Sequence, residues 1–251
     1  MNRVVFSTTA CALGVWIAAS QFSASWAGDV TVIDGDTIKL DGTRYRLDGI
    51  DAPEPDQVCL TDRGALWPCG VYGRARLSDY ISSRSVSCQD EGADTAFPGR
   101  RIGLCTAEGE TSNISSWLVS EGLAINFEPY AKGRFLQEQE SARENRRGLW
   151  QGCFTAPQDL RYWRKGSARL LGSRCPPDKV ARNMLFPDHP EKPPDCSIKG
   201  KFALRAKITG NRGIYHLEGC RSYRTVKMPE RWFCSEEEAR AAGFRKALTC
   251  R

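Results

Sequence analysis

Short apolar and β-branched runs, separated by Asp-Gly pairs, dominate the chain between residues 30 and 54. The runs cover residues 31–33, 37–40 and 44–47. Asp and Gly tolerate the positive φ that tight hairpin turns need, and Asp41-Gly42 is the strongest such signal. The pattern predicts an antiparallel meander with acidic residues near its strand ends, so we expect Asp36 and Asp51 to meet at one end of the sheet.

The pattern then alternates between helical and strand-like periods as far as Trp150. Apolar spacing predicts helices over 71–82, 113–124 and 134–147, and strands over 85–89 and 101–106. Five short strands with interspersed helices favour a mainly β fold with helices (α+β), in which a five-stranded barrel is braced by helices. On the first helix the residues expected to face inward are Val71, Ala75, Leu77 and Ile81.

Beyond Trp150 the composition changes. Residues 151–174 are basic and aromatic, and six prolines fall between Cys175 and Cys196. We interpret 151–195 as a linker, basic and then proline-rich, and semi-extended in its proline-rich part. Residues 196–251 are predicted to form a small basic cysteine-stabilised domain with strands over 202–208 and 213–216 and a helix over 235–242.

The first 27 residues are typical of an export signal. Arg3 precedes a mostly apolar stretch over 4–17, and Ser25-Trp26-Ala27 has the small-x-small form of a cleavage site. We therefore expect a mature domain from 28 to 150 followed by the linker and the small domain, in a periplasmic or secreted protein without a membrane segment.

Cysteine number and charge add two expectations. Removing Cys11 with the signal leaves ten of eleven cysteines, an even number that favours disulfides in an exported chain. Spacing suggests the local pairs Cys59–Cys69 and Cys88–Cys105 and leaves the other pairings open. Residues 28–150 carry 14 Lys/Arg against 20 Asp/Glu, whereas 196–251 carry 13 against 5; the basic tail could gather a polyanion or be a solvated face.

The residue types exclude several kinds of catalytic site in the barrel. The two histidines, His189 and His216, lie beyond it, which excludes Ser-His-Asp and Cys-His hydrolase sites. No HExxH or P-loop pattern occurs. Asp34-Gly35-Asp36 does not begin an EF-hand calcium loop, because Ile38 stands where such a loop needs a third oxygen ligand. Carboxylates and arginines remain, and these are what metal-assisted phosphodiester cleavage requires.

Five motifs in order resemble the staphylococcal nuclease, or thermonuclease-like, family. They are VIDGDT at 32–37, RLDGIDAPE at 46–54, GRRIGLC at 99–105, WLVSEGLA at 117–124 and RRGLW at 146–150. The resemblance covers about residues 28–150 and implies an OB-fold barrel with one Ca²⁺ site. It also implies an endonuclease that hydrolyses DNA, and RNA as a further substrate, with little sequence preference. We expect a monomer with no obligate protein partner; a catalytically silent OB-fold nucleic-acid-binding protein is the alternative.

The resemblance also assigns roles by motif position. Asp36 and Asp51 look like the metal carboxylates, and the backbone carbonyl of Ala52 looks like a further metal ligand. Glu54 looks like the general base. The phosphate clamps look like Arg46 and Arg100, with Arg101 offering a competing register.

Two departures from the family pattern affect these expectations. Pro98 stands where the family commonly has an aromatic that can stack on the nucleotide, and Phe127 or Tyr130 could supply that surface or belong to the core. The tail resembles small modules appended to exported relatives and the cysteine-zinc domain of the Ada repair proteins. With no CxxC and an oxidising compartment, two disulfides are favoured over zinc for its four cysteines.

Overall fold

A computed structural model describes residues 29–203 and 211–250. The predicted export signal over 1–27 and most of the predicted strand over 202–208 lie outside these residues. The strands, in chain order, are β1 Val30–Val32, β2 Thr37–Leu40, β3 Thr43–Leu47, β4 Ile50–Asp51, β5 Cys59–Leu60, β6 Leu66–Trp67, β7 Val86–Ala93, β8 Arg100–Ala107, β9 Ile125–Asn126, β10 Cys153–Thr155, β11 Leu170–Gly172, β12 Ile198–Phe202, β13 Gly213–His216, β14 Arg231–Phe233 and β15 Phe244–Lys246.

Helices lie between these strands along the chain. They are α1 Cys69–Ile81, α2 Ile114–Ser120, α3 Glu128–Ala131, α4 Leu136–Glu144, α5 Pro157–Arg161, α6 Asp178–Leu185 and α7 Glu236–Ala241, with 3-10 turns at Gly148–Gln151 and Tyr223–Thr225.

The main sheet has the strand order β1-β2-β3-β8-β7. Its β2–β3 hairpin turns at Asp41 and Gly42, both at positive φ, as predicted. Strands β3 and β8 pair in parallel, which sets Arg44 opposite Arg100. This five-stranded arrangement, braced by α1 and α2, is the predicted OB-fold barrel within an α+β protein.

The helices of the barrel follow the sequence prediction, except that one residue predicted to face the core is exposed. Asn113 caps α2 by accepting a hydrogen bond from the Ser116 amide. Helix α1 buries Leu77 and Ile81 as expected, but Ala75 is exposed, so its assignment to the core was wrong. The inward face of α1 instead includes Tyr80, which stacks on Trp117 at 3.8 Å between ring centroids.

Residues 151–195 are more structured than the proline content suggested. They contain β10, α5, β11 and α6, closed by a Cys153–Cys175 disulfide, and a core that includes Leu160, Leu185 and Phe186. The prediction that the proline-rich stretch is semi-extended was wrong for α6. Its prolines precede the helix or follow it, where they do not interrupt helical hydrogen bonds.

The last described segment folds around a sheet in the order β14-β12-β13-β15 with α7 packed against it. Its four cysteines form the pairs Cys196–Cys234 and Cys220–Cys250, so the preference for disulfides over zinc is confirmed. The local pairs Cys59–Cys69 and Cys88–Cys105 are confirmed as well. Among residues 29–203 and 211–250, none of the helices is long and apolar enough to cross a membrane.

This C-terminal module, residues 196–250, is fastened to the barrel by a buried ion pair. Arg231 donates from Nε and Nη2 to the Asp56 carboxylate at 2.7 and 2.9 Å, and both side chains are 1% exposed. The Trp232 amide also donates to Asp56, at 3.0 Å. Glu237 on α7 pairs with Arg44 on β3. The module therefore lies directly against the acidic end of the barrel.

Candidate active site

A narrow cleft lies where the end of the barrel meets the C-terminal module. Its walls come from the turn after β1, the loop after β4, the start of β8, α5 and α7. The residues that line it are Ile33, Asp34, Asp36, Thr37, Arg44, Arg46, Ala52, Pro53, Glu54, Pro55, Phe97, Arg100, Arg161, Ser235, Glu237, Glu238 and Ala241. Five of the six residues assigned from the sequence are among them, and Asp51 lies buried directly behind.

Arg46 joins the two aspartates that the sequence singled out. Its Nη2 lies 3.5 Å from Asp36 Oδ2 and 3.7 Å from Asp51 Oδ1. Thr37 donates its hydroxyl to Asp36 Oδ1 at 3.0 Å. A Cβ on Gly35 would lie 2.8 Å from Ala52 Cβ, so glycine at 35 permits the two acidic loops to approach. Asp36 and Asp51 therefore meet at one end of the sheet, as predicted.

Glu54 is held by its backbone. Its amide donates to Gln57 Oε1 at 3.1 Å, and Gln57 in turn donates to the Thr155 carbonyl at 2.9 Å. A Cβ on Gly70 would lie 1.8 Å from the Glu54 carbonyl oxygen, so glycine at the start of α1 lets this helix pack on the loop. The loop is thereby fixed from two sides, with the Glu54 side chain 5% exposed in the cleft.

Arg100 reaches the cleft and Arg101 does not. Arg100 pairs with Asp94 at 2.7 Å, donates to Thr37 Oγ1 at 3.4 Å, and has its guanidinium 4.2 Å from the centroid of the Phe97 ring. Arg101 instead pairs with Asp90 at the exposed surface of β7. The structure thus favours the register in which Arg100 serves the site.

An aromatic residue, Phe97, lies at the cleft one residue before the departure noted at Pro98. Phe97 lines the cleft beside Arg100. Phe127 is buried, with its ring centroid 6.0 Å from Arg46 Cζ, and Tyr130 is exposed. Of the two roles considered for Phe127, its burial favours a place in the core over a surface for stacking on a nucleotide.

Burial and charge act in opposite directions on the acids of the cleft. Burial by itself raises the pKa of Asp36, but the guanidinium groups around it, Arg46 first, hold that pKa below its ordinary value. Burial raises the pKa of Glu54 despite the opposing charge of Arg161. Burial and the neighbouring Asp36 carboxylate raise the pKa of Asp34 to about 7. The cleft therefore contains acids of unequal strength, a frequent feature of catalytic sites.

Sequence reasoning missed Arg161, the fourth arginine of the cleft. Its Nε lies 2.6 Å from Glu54 Oε1 and its Nη2 lies 2.9 Å from Asp51 Oδ1. It comes from α5, in a stretch described only as basic and aromatic, and no local motif marks it. Only the packing of α5 against the acidic loop reveals it.

The α7 wall was also missed. Glu238 accepts a hydrogen bond from the Cys234 amide at 2.7 Å with Oε2, and within the described residues its Oε1 is buried without a hydrogen-bond partner. Burial and the charge of Glu54 raise the pKa of Glu238 well above its ordinary value. With α7 in this position the cleft encloses ≈ 40 Å³, against roughly 300–1,000 Å³ for typical ligand pockets. Water and small ions fit this inner part of the cleft, which also opens to solvent.

The donor chemistry of the cleft fits a hard divalent cation. Its acids supply only oxygen donors, which is the preference of Ca²⁺, and Glu238 Oε1 is an orphaned buried acceptor beside them. The residues that would hold the ion are Asp36, Asp51 and the Ala52 carbonyl. In the part of the chain that the structure describes, however, no three His, Cys, Asp or Glu side chains form a ready cluster for a metal; the acids are turned toward arginines.

Comparison with known proteins agrees with this architecture. The family profile described as staphylococcal nuclease homologue matches residues 44–152. The chain is similar to the succinoglycan biosynthesis protein ExoI of Rhizobium meliloti (strain 1021), with 38% identity over 125 residues, 49% of this chain and 63% of that protein. It is also similar to the micrococcal nuclease of Shigella flexneri, with 30% identity over 159 residues, 57% of this chain and 83% of that protein. The chain belongs to the staphylococcal nuclease homologue family.

Proposed function

We propose that the protein is an exported, Ca²⁺-dependent endonuclease that hydrolyses phosphodiester bonds of DNA, and of RNA as a further substrate, with little sequence preference. The observation that carries the proposal is the convergence of Asp36, Arg46, Asp51, Glu54 and Arg100 at one cleft. The similarity to a micrococcal nuclease supports a nuclease activity.

In the proposed mechanism the acidic residues bind the metal ion and accept a proton, and the arginines bind the phosphate. Ca²⁺ bound by Asp36, Asp51 and the Ala52 carbonyl would polarise the phosphate. Glu54 accepts the proton of the attacking water, since its buried carboxylate has a raised pKa that suits a general base. Arg46 and Arg100 donate to the phosphate oxygens as negative charge develops on them. Water attacks phosphorus in line, opposite the 5′ oxygen; the bond from phosphorus to that oxygen breaks, which leaves a 3′-phosphate end and a 5′-hydroxyl end.

Export is proposed on two grounds. The first 27 residues have the pattern of an export signal, and five disulfides pair ten cysteines, which is typical of oxidising compartments. A weak Ca²⁺ site would be adequate outside the cell, where calcium modules work at roughly 10⁻⁴ to 10⁻³ M.

A plasmid digest of the purified, disulfide-bonded protein tests the proposal. We expect supercoiled plasmid to be nicked and then degraded with millimolar Ca²⁺ and to stay intact with chelator. Glu54→Gln, purified in parallel, controls for contaminating nucleases because the substitution preserves the shape of the side chain. Binding of DNA without calcium-dependent cleavage would favour the catalytically silent OB-fold protein instead.

A further inference from the structure

Arg161 occupies the space between the proposed metal carboxylate and the proposed general base. Its guanidinium spans Asp51 and Glu54 with contacts of 2.9 and 2.6 Å, and its side chain is 12% exposed. Its Nη2 donates a charge-assisted hydrogen bond to Asp51 Oδ1, and its Nε makes an ion-pair contact with Glu54 Oε1, in a site with little access to water. Its charge is therefore screened less by solvent than that of an exposed arginine.

The same short helix engages both oxygens of Asp51. The Gln158 amide donates to Oδ2 at 2.9 Å, while Arg161 donates to Oδ1. Arg46 approaches Oδ1 from the other side at 3.7 Å. Because Asp51 is fully buried, these donors, rather than solvent, balance its charge.

We infer that Arg161 is an internal counter-cation of the site, which a divalent ion must displace from Asp51 and Glu54 before it binds. The inference rests on the proposed function, since it assumes that this cleft takes Ca²⁺. Two positive charges sharing Asp51 repel each other strongly where water is excluded. Binding of the ion therefore includes the cost of releasing Arg161, and the residue lowers calcium affinity while keeping the ion-free acids stable.

The opposite role is also chemically reasonable and makes the opposite prediction. If Arg161 instead positioned Asp51 and Glu54 for the ion, its removal would disorder the ligands and weaken binding. Calcium affinity measured directly, without any turnover, separates the two roles.

The test is isothermal titration with CaCl₂ of the full chain as Arg161→Gln, Arg161→Lys and the unchanged protein. Loss of two charge-assisted contacts corresponds to at least about tenfold in affinity, so we expect Arg161→Gln to bind calcium tighter by at least about that factor. Lysine keeps the charge but not the planar fork that spans both carboxylates, so Arg161→Lys should bind calcium less tightly than Arg161→Gln. Arg143→Gln makes the same chemical change on the exposed face of α4, where Arg143 pairs with exposed Glu140, and should leave calcium affinity unchanged.

Thermal unfolding with and without calcium provides a second readout. Without calcium, Arg161→Gln should melt below the unchanged protein because Asp51 and Glu54 lose their counter-charge; calcium should raise its melting temperature more than that of the unchanged protein. Equal or weaker calcium binding by Arg161→Gln overturns the inference, as does failure of that variant to gain more stability from calcium. Both measurements are independent of the plasmid digest. The unchanged protein can cleave DNA while the inference about Arg161 fails, and the inference can hold for a protein that does not cleave DNA.

Discussion

Breaking the buried pair between Arg231 and Asp56 should destabilise the whole protein. The proposed change is Arg231→Met, which keeps an unbranched apolar stem but removes the charge and its donors. Arg231 makes two contacts to Asp56 and one, at 3.2 Å, to the Leu160 carbonyl. The variant leaves Asp56 as a buried carboxylate whose remaining donor is the Trp232 amide.

The expected loss follows from the burial of both partners. At 1% exposure each, neither charge is screened by water, and removal of one partner of such a pair typically costs about 3–5 kcal/mol. For a chain of this size that loss corresponds to a melting temperature lower by roughly 6–20 °C. The exposed Arg143–Glu140 pair provides the contrast, since pairs of this kind contribute about 0–1 kcal/mol.

Urea unfolding with intact disulfides, followed by tryptophan fluorescence, measures the free energy of unfolding. The set is Arg231→Met, Asp56→Asn, the double variant and Arg143→Gln. We expect the double variant to lose less than the sum of the two single changes, because it buries no unpaired charge. A loss below about 1 kcal/mol for Arg231→Met, or additive single losses, would refute the idea that this pair holds the module to the barrel.

Three further predictions concern the cleft. Glu54→Gln should lower kcat by about 10²–10⁴-fold without loss of calcium affinity; turnover near that of the unchanged protein would remove Glu54 from the role of base. Arg100→Ala should lower kcat/KM for DNA by about 10²–10³-fold while Arg101→Ala, which changes an exposed pair with Asp90, stays near normal, and equal losses would contradict the register. Burial raises the pKa of Glu238 in the folded state, so the contribution of this residue to stability should fall as pH rises above the unfolded value of 4.5. Glu238→Gln keeps the acceptor for the Cys234 amide and should gain relative stability between pH 4.5 and pH 7.5 in chelator; a pH-independent gap in urea unfolding would speak against a buried charge at this position.

The barrel was predictable from sequence because its determinants are local. Alternation of residue types and the Asp41-Gly42 turn define the β2–β3 hairpin, and Asn113 caps α2 within its own turn. The side chains of Asp36, Arg46 and Glu54 lie close together because a short meander brings the ends of its strands to the same end of the sheet. Contacts between residues close in sequence can be recognised from residue types at fixed spacings in a single sequence.

The remaining parts of the cleft depend on contacts between distant segments. Arg161 is 110 residues from Asp51, and Arg231 is 175 from Asp56; neither arginine differs locally from a surface cation. Helix α7 was predicted as a helix, but the position of Glu237 and Glu238 over the cleft depends on how the module docks. The overall charge of the tail was equally uninformative about docking, because it does not distinguish Arg231, buried in an ion pair, from the other basic residues of the tail.

The Arg231–Asp56 pair also has a consequence for the order in which the chain completes its fold. Asp56 precedes its partner by 175 residues, so the pair can form only after the C-terminal module has folded. Until Arg231 docks, the loop that carries Glu54 holds an acid without its counter-charge, two residues from the proposed base. The barrel can therefore form early, but its acidic loop reaches its final position only when β14 docks, so the cleft is completed last.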